Sequence, residues 1–346
     1  MLLLKLPALE LTAARRRAGG QETRGGGSST PGEIVAPAGC NRGTPRRPIS
    51  MPTTSRPSYR AILVLGALLG SSPALAQEEV GKRERQKIAI EWAKAETKNY
   101  AFEYENVIPN STVLQIGNEL ERALEQYVLV FKYKPEKKLK VKFLDSPNTY
   151  EQEGGKPSSG GHFSPGDEYL VLKQLPFYEL TPTAYHEAFH QYLHFYIGRG
   201  VDIPTWFNEG MASYFEMMQE TRGTKKLDYK SIDNRKLRMV QEKIITRAAI
   251  PLEKLVDAPY SEFHDKEASG KESLYYTQSF AMIYFFMQGM GGKPVFQFAD
   301  ELRKTKDTSK AYEKMFGKER KNLKTVEAKW KQYIAGVKIQ EPPKRA

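Results

Sequence analysis

One stretch of the chain, residues 182–219, constrains the fold and the chemistry more than any other. It contains His186, Glu187 and His190 in the pattern HExxH, followed by Glu209. Residues four apart on a helix lie about one turn apart on the same face, so the two imidazoles can address one ion. Glu187 lies one residue further round, where it can hold a water without ligating the ion. Two histidines and one carboxylate leave a coordination position open, which is typical of a catalytic zinc site.

The surrounding sequence predicts the two helices that such a site needs. Thr181 and Pro182 suit the N-cap and first position of one helix, and Gly198 suits its end. A second helix is predicted over 205–218, after Pro204. An HExxH pattern on a solvated helix often arises by chance, but this first helix is largely apolar and a second one returns a carboxylate. The context therefore favours a metal site.

These residues carry a resemblance to a known group of proteins. HExxH followed by a glutamate in an Asn-Glu context resembles the gluzincin metallopeptidases, and especially the peptidase MA-like domains of exported bacterial proteins. There the box is similar to HEAxHQ and the third-ligand segment to P-x-W-x-x-E-G-x-A, which residues 186–191 and 204–212 match. The resemblance extends in general layout over 99–289. It implies an α+β fold with a thermolysin-like catalytic domain: a small mixed sheet, two active-site helices and a C-terminal helical bundle.

The chemistry implied is metal-assisted hydrolysis. One Zn²⁺ per chain would be held by His186, His190 and Glu209 and would activate a water and the scissile carbonyl. Glu187 would take the proton of the water and deliver it to the leaving amine. Gluzincins commonly supply a tyrosine that donates a hydrogen bond to the developing oxyanion. The candidate here is Tyr276, with Tyr275 as the next choice and core packing as the alternative for either.

Other site residues follow from the same resemblance. The hairpin over 160–172 would line the cleft, with His162, Phe163 and Tyr169 as candidate substrate-binding residues; an ordinary surface hairpin is the alternative.

The ligand histidines also need hydrogen-bond acceptors. The position four residues after the glutamate ligand, often acidic in gluzincins, is Ser213, and Glu216 or Asn208 could serve instead. No Gly-x-Met-Glu-Asn stretch precedes the box, so the exopeptidase signature of the aminopeptidase N family is missing and an endopeptidase is favoured.

The N-terminal region has the pattern of an export signal. Residues 1–50 are rich in Gly, Pro and Arg and are interpreted as a mis-called start or a disordered leader. Residues 51–76 show a polar stretch, a short apolar run and a small-residue cleavage site, which predicts a signal peptide cleaved near Ala76-Gln77. A genuine extended leader or a signal anchor is the alternative. The expected location is therefore secreted or periplasmic.

Cleavage would change the charge balance. The chain has 53 Lys and Arg against 41 Asp and Glu, but ten of these basic residues and three of the acidic ones fall in residues 1–76. The remainder has a net charge of only +5, which argues against a nucleic-acid partner. Its apolar segment at 273–290 is 18 residues long and is interpreted as a core helix, so no permanent membrane span is expected.

Hydrophobic periodicity predicts the remaining elements. The predictions are a helix at 77–98, strands at 100–107, 139–144 and 169–172, a helix from Asn110 or Ser111 to about Phe131, a loop at 146–159, and helices at 228–247, 251–256, 273–290, 294–302 and 312–334. These give a catalytic domain at 99–220, a helical subdomain at 221–338 and a flexible tail at 339–346.

The sequence thus predicts an exported zinc metallopeptidase that acts on peptides or proteins. A domain with the same scaffold that binds peptides or cell-wall components without catalysis is the main alternative, although it has no use for Glu187 as a base. A hydrolase of non-peptide amides is a third possibility, because the ligands alone do not exclude it.

Overall fold

The computed structural model describes residues 88–221, 224, 226–230, 233–263 and 274–339. The predicted leader, the signal peptide and residues 340–346 of the predicted tail lie outside the described residues. The described residues belong to one compact unit. The predicted catalytic domain and helical subdomain share one hydrophobic core within it.

A small mixed sheet precedes the site, as the sequence predicted, and it has five strands. Its strands are Trp92–Glu96 (β1), Tyr100–Glu105 (β2), Leu139–Leu144 (β3), Gly161–Ser164 (β4) and Tyr169–Lys173 (β5). They lie in the order β1-β2-β3-β5-β4, with β2, β3 and β5 parallel and both edge strands antiparallel to their neighbours. A separate two-stranded ribbon pairs Gln219–Glu220 (β6) with Leu227–Asp228 (β7).

Helices make up most of the rest, which confirms an α+β fold. They are Asn110–Phe131 (α1), Pro147–Gln152 (α2), Phe177–Ile197 (α3), Thr205–Glu216 (α4), Asn234–Ile245 (α5), Leu252–Val256 (α6), Tyr260–Phe263 (α7), Leu274–Tyr284 (α8), Lys293–Thr305 (α9), Thr308–Phe316 (α10) and Leu323–Gly336 (α11). A π-helical turn, Phe285–Gly289, extends α8. In the part of the chain that is described, no helix is both long and apolar enough to cross a membrane.

The two faces of the sheet bury different residues because side chains alternate along a strand. On one face Val141, Leu170 and Leu172 join the main core, where α1 and α3 pack. On the other face Val171 packs with Tyr150 of α2 in a small second cluster. The helix that carries the HExxH residues therefore lies against β4 and β5, at one edge of the sheet.

The helix predicted at 77–98 is wrong where the structure describes it. Residues Trp92–Glu96 form β1, which pairs antiparallel with β2. Ala93 and Ala95 face the main core, while Trp92, Lys94 and Glu96 are exposed. The segment is rich in helix-favouring residues, but pairing with a neighbouring strand overrides such weak preferences. Residues 77–87 lie outside the described residues.

The HExxH helix also begins earlier than predicted. Pro176 precedes it, and Phe177 is its first residue, so Thr181 is not its cap and Pro182 lies inside it. A proline there removes one backbone hydrogen bond, to the carbonyl of Tyr178. Tyr178 belongs to the exposed first turn, where water can satisfy that carbonyl. The predicted end at Gly198 is confirmed.

Three further boundaries differ from the predictions. The predicted loop at 146–159 contains α2, whose first turn is capped by the side chain of Ser146. Helix α5 begins only at Asn234, because the side chain of Asp233 caps it. The helix predicted at 312–334 is interrupted at Gly317, whose φ of 81° ends α10.

A close contact between two helices in the site region involves Gly210, directly after Glu209 on α4. A Cβ at this position would lie 2.8 Å from the carbonyl oxygen of Ser279 and from Ile283, both on α8. Backbone and buried side chain leave little room to yield, so a glycine is needed for α4 and α8 to approach this closely.

We expect Gly210→Ala to destabilise the protein by about 1–3 kcal/mol, because the added methyl group overpacks the α4–α8 contact. Urea unfolding followed by circular dichroism measures this change. Gly336→Ala is the matched control, since a Cβ there has no neighbour within 4 Å and the change should stay within about 1 kcal/mol. Equal effects of the two substitutions would contradict the close-contact explanation.

Candidate metal centre

The three predicted ligands come together where α3 and α4 face each other. His186 and His190 project from α3 and Glu209 from α4. Oε2 of Glu209 lies 3.3 Å from Nε2 of His186 and 3.5 Å from Nε2 of His190. One ligand atom from each residue lies within 4.8 Å of the others, so the three could hold one metal ion. All three side chains are nearly buried.

The opposite ring nitrogens are occupied by neighbours on α4. Nδ1 of His190 donates to Oδ1 of Asn208 at 2.8 Å, and Nδ1 of His186 donates to Oε2 of Glu216 at 3.3 Å. Bonds of this kind fix the tautomer and aim Nε2 at a metal. Asn208 and Glu216 therefore have the positions predicted for them. Ser213 is buried on the same helix, but neither histidine takes its Nδ1 partner from it.

The buried charged groups of the cluster are stabilised by one another rather than by solvent. Burial by itself lowers the pKa of His186, but its contacts with the carboxylates of Glu209 and Glu216 outweigh this and raise the pKa to about 10. Burial favours the protonated form of Glu209, yet the adjacent imidazoles hold its pKa well below the usual range. A divalent cation in this place would displace the imidazole protons and supply the positive charge itself.

Glu187 differs from its neighbours in having no fixed partner. Among the described residues it makes no hydrogen bond or ion pair, although Glu209 and Glu216 are both engaged. It faces Gly161 on the edge strand β4, where a Cβ would lie 3.1 Å from Cγ of Glu187. Because Gly161 has no side chain, β4 leaves room beside the side chain of Glu187.

Two tyrosines extend the site from the C-terminal half. Burial raises the pKa of Tyr276, and the charges of Glu209 and Glu187 raise it further. Burial also raises the pKa of Tyr260, and the same two charges raise it further. Both phenols are therefore within electrostatic range of these two carboxylates. Tyr260 was not predicted, because it lies in a four-residue helix that carries no recognisable motif.

The second tyrosine candidate, Tyr275, faces elsewhere. Its ring lies 5.3 Å from that of Phe263 and 5.9 Å from Nζ of Lys254. Burial raises its pKa most, and contacts with Glu262 and Lys254 follow. Tyr276 is the candidate whose pKa the charges of Glu209 and Glu187 raise.

The three candidate substrate-binding residues lie in different places. Nδ1 of His162 lies 3.2 Å from the hydroxyl of Tyr150, beside the edge of the sheet. Burial lowers the pKa of His162, and the charge of Glu187 opposes that effect, so the histidine is within electrostatic reach of the cluster. Phe163 packs on the ring of His194, with centroids 5.2 Å apart, one turn beyond His190.

The structure places the third candidate, Tyr169, away from the ligand cluster. Its position on β5 alternates with Leu170 and Leu172, so it lies on the face of the sheet opposite α3. There its hydroxyl donates to Glu103 at 3.1 Å, and Nζ of Lys140 lies 4.4 Å from the ring centroid. The predicted hairpin is present. Side chains alternate along β5, and this alternation turns Tyr169 away from α3.

We expect Asn208→Ala to weaken divalent-cation binding about tenfold to hundredfold, because Nδ1 of His190 loses its acceptor. Competition with a chromophoric chelator measures the dissociation constant. Asn208→Asp keeps an acceptor oxygen and should retain most of the affinity. Equal losses in both variants would show that the bond to His190 is not what matters.

One segment of the chain matches a known protein family. Residues 181–308 match the model of a family described as protein of unknown function (DUF1570). No curated protein matches the chain. The matched segment includes His186, His190, Glu209 and Tyr276, so it covers the whole candidate centre but less than half of the chain. Over this segment the chain is similar to a family whose description names no function.

Proposed function

We propose that this protein is a zinc-dependent metallopeptidase with a thermolysin-like, gluzincin-type catalytic domain. The observation that carries the proposal is the combination of two features at one place. The ligand atoms of His186, His190 and Glu209 converge to within 4.8 Å, and the carboxylate of Glu187, next to them in sequence, has no partner among the described residues. A purely structural ion-pair cluster requires neither three converging ligands nor an unpaired acid.

The donor set suits zinc. Two imidazole nitrogens and one carboxylate oxygen are the ligands of many catalytic zinc sites, and both imidazoles have an acceptor on the opposite nitrogen. Hard cations such as Mg²⁺ and Ca²⁺ prefer oxygen ligands alone. Bound zinc would supply a Lewis acid and a water of lowered pKa.

The residues of the chain have distinct roles in this proposal. Glu187 accepts a proton from the attacking water and returns it to the leaving amine. Tyr276 is neutral because burial and nearby carboxylates raise its pKa, so its hydroxyl remains a donor for the oxyanion. Strand β4 is an edge strand beside α3, and its outer backbone groups would hold an extended peptide as an added strand. This supports an endopeptidase that acts on peptides or proteins.

Export belongs to the proposal as well. It depends on the pattern at residues 51–76, which is typical of a cleaved signal peptide and would place the enzyme outside the cytoplasm.

Zinc content provides the first test. We expect about one zinc per chain in purified protein and none in His190→Ala, because two remaining ligands bind zinc weakly. Elemental mass spectrometry measures the stoichiometry. His194→Ala is the matched control, since His194 lies one turn further on α3 and outside the cluster. Wild-type protein that stays free of zinc after reloading would overturn the proposal.

Glu187→Gln separates catalysis from binding. We expect it to retain zinc and to lose peptidase activity by at least about a hundredfold, because the amide cannot accept the proton. Hydrolysis of an unfolded protein such as casein is the assay, and Glu179→Gln, on the exposed first turn of α3, is the matched control. Zinc-loaded wild type that binds peptides without cleaving them would instead support the non-catalytic binding domain. Cleavage of small amides alone would identify a different hydrolase.

A further inference from the structure

A lysine that the sequence did not indicate is buried behind the centre. Lys236 projects from α5, and its side chain is only 1% exposed. Its Nζ lies 2.9 Å from Oε2 of Glu216 and 3.7 Å from Oδ2 of Asp233. A buried ammonium is costly unless it is paired, so this placement is sustained by the two carboxylates.

The lysine and a candidate ligand share one acceptor atom. Oε2 of Glu216 accepts hydrogen bonds from Nζ of Lys236 at 2.9 Å and from Nδ1 of His186 at 3.3 Å. The side chain of Glu216 is 27% exposed, so without the buried lysine it has a path to water. The contact with Lys236 therefore determines whether the carboxylate stays against the imidazole.

The start of α5 is built to hold Lys236 in place. Oδ1 of Asp233 caps the helix by accepting the backbone N–H groups of Arg235 and Lys236. Its other oxygen faces Nζ of Lys236, and the ring of Phe280 on α8 lies 5.6 Å from the same nitrogen. The start of α5, Lys236 and Glu216 are therefore joined by a continuous set of hydrogen bonds and ion pairs.

We infer that Lys236 is a positioning residue for the metal ligand His186, an inference that rests on the proposed function. It holds Glu216 where the carboxylate fixes the Nδ1–H tautomer of His186 and leaves Nε2 free for the ion. It also offsets the charge of Glu216, because Nζ of Lys236 lies 2.9 Å from Oε2 of that carboxylate. A zinc ion held by His186, His190 and Glu209 would then lie near one fewer uncompensated carboxylate.

The two ligand histidines differ in this respect. His190 uses the neutral amide of Asn208, which needs no counter-charge. His186 uses a carboxylate and therefore depends on a cation from another helix. Loss of Lys236 should thus act through Glu216 and not through Asn208.

The test is a double-mutant cycle on zinc affinity in the full chain, with Lys236→Met, Glu216→Ala, which removes the acceptor of His186, and the combined variant. We expect each single substitution to raise the zinc dissociation constant about tenfold to hundredfold. The combined variant should be no weaker than the worse single one, because both remove the same support. The absorption spectrum of the Co²⁺-loaded protein should change in the same way in all three variants.

Val240→Ala is the control for packing. Val240 is fully buried one turn further along α5, so its truncation lowers stability without removing a charge, and the zinc dissociation constant should stay within about twofold of wild type. If Lys236→Met does not fold, Lys236→Gln carries the same test, because its amide occupies the site without the charge.

The outcomes separate this inference from the proposed function. Zinc binding by wild type and by Lys236→Met with equal affinity would overturn the positioning role and leave the peptidase proposal intact. Losses that add in the combined variant, or an equal loss in Val240→Ala, would also overturn it. Absence of zinc binding in wild type would overturn both.

Discussion

Several ionisable groups are buried together between α3 and α4, and each needs an opposite charge or a hydrogen-bond partner inside the protein. Glu209 meets this need for both histidines at once, since one oxygen lies within 3.5 Å of each Nε2. Glu216 lies between His186 and Lys236 in the same way. Because an unpaired buried charge costs several kcal/mol, about the stability margin of a whole domain, these contacts decide which helix arrangements are possible.

The packing of the C-terminal half follows from that requirement. Helix α4 supplies Glu209 and Glu216 on one side and contacts α8 closely through Gly210 on the other. Helix α5 then packs on α8 and brings Lys236 beneath Glu216. The residues after 220 are therefore part of the centre, and one hydrophobic core continues through both halves.

Local spacing made much of the centre predictable. His186, Glu187 and His190 are set by helix geometry alone, and Glu209 required only a second helix after a turn. Lys236 and Tyr260 were not predictable in this way, because they reach the centre through packing of α5 and α7, and contacts between distant elements leave no periodic signal. The same limit explains β1, where pairing with β2 overrode helical preference, and Tyr169, whose face depends on register.

Four helices, α1, α3, α4 and α6, start directly after a proline, with φ between −51° and −58° at that residue and no side-chain cap. Two of them carry the ligands. The φ angle that the proline ring fixes, rather than an ionisable or hydrogen-bonding side chain, therefore sets where these helices begin. The start of each ligand helix therefore depends on a covalent constraint that does not titrate. A change in the protonation of His186 or Glu209 leaves that constraint in place.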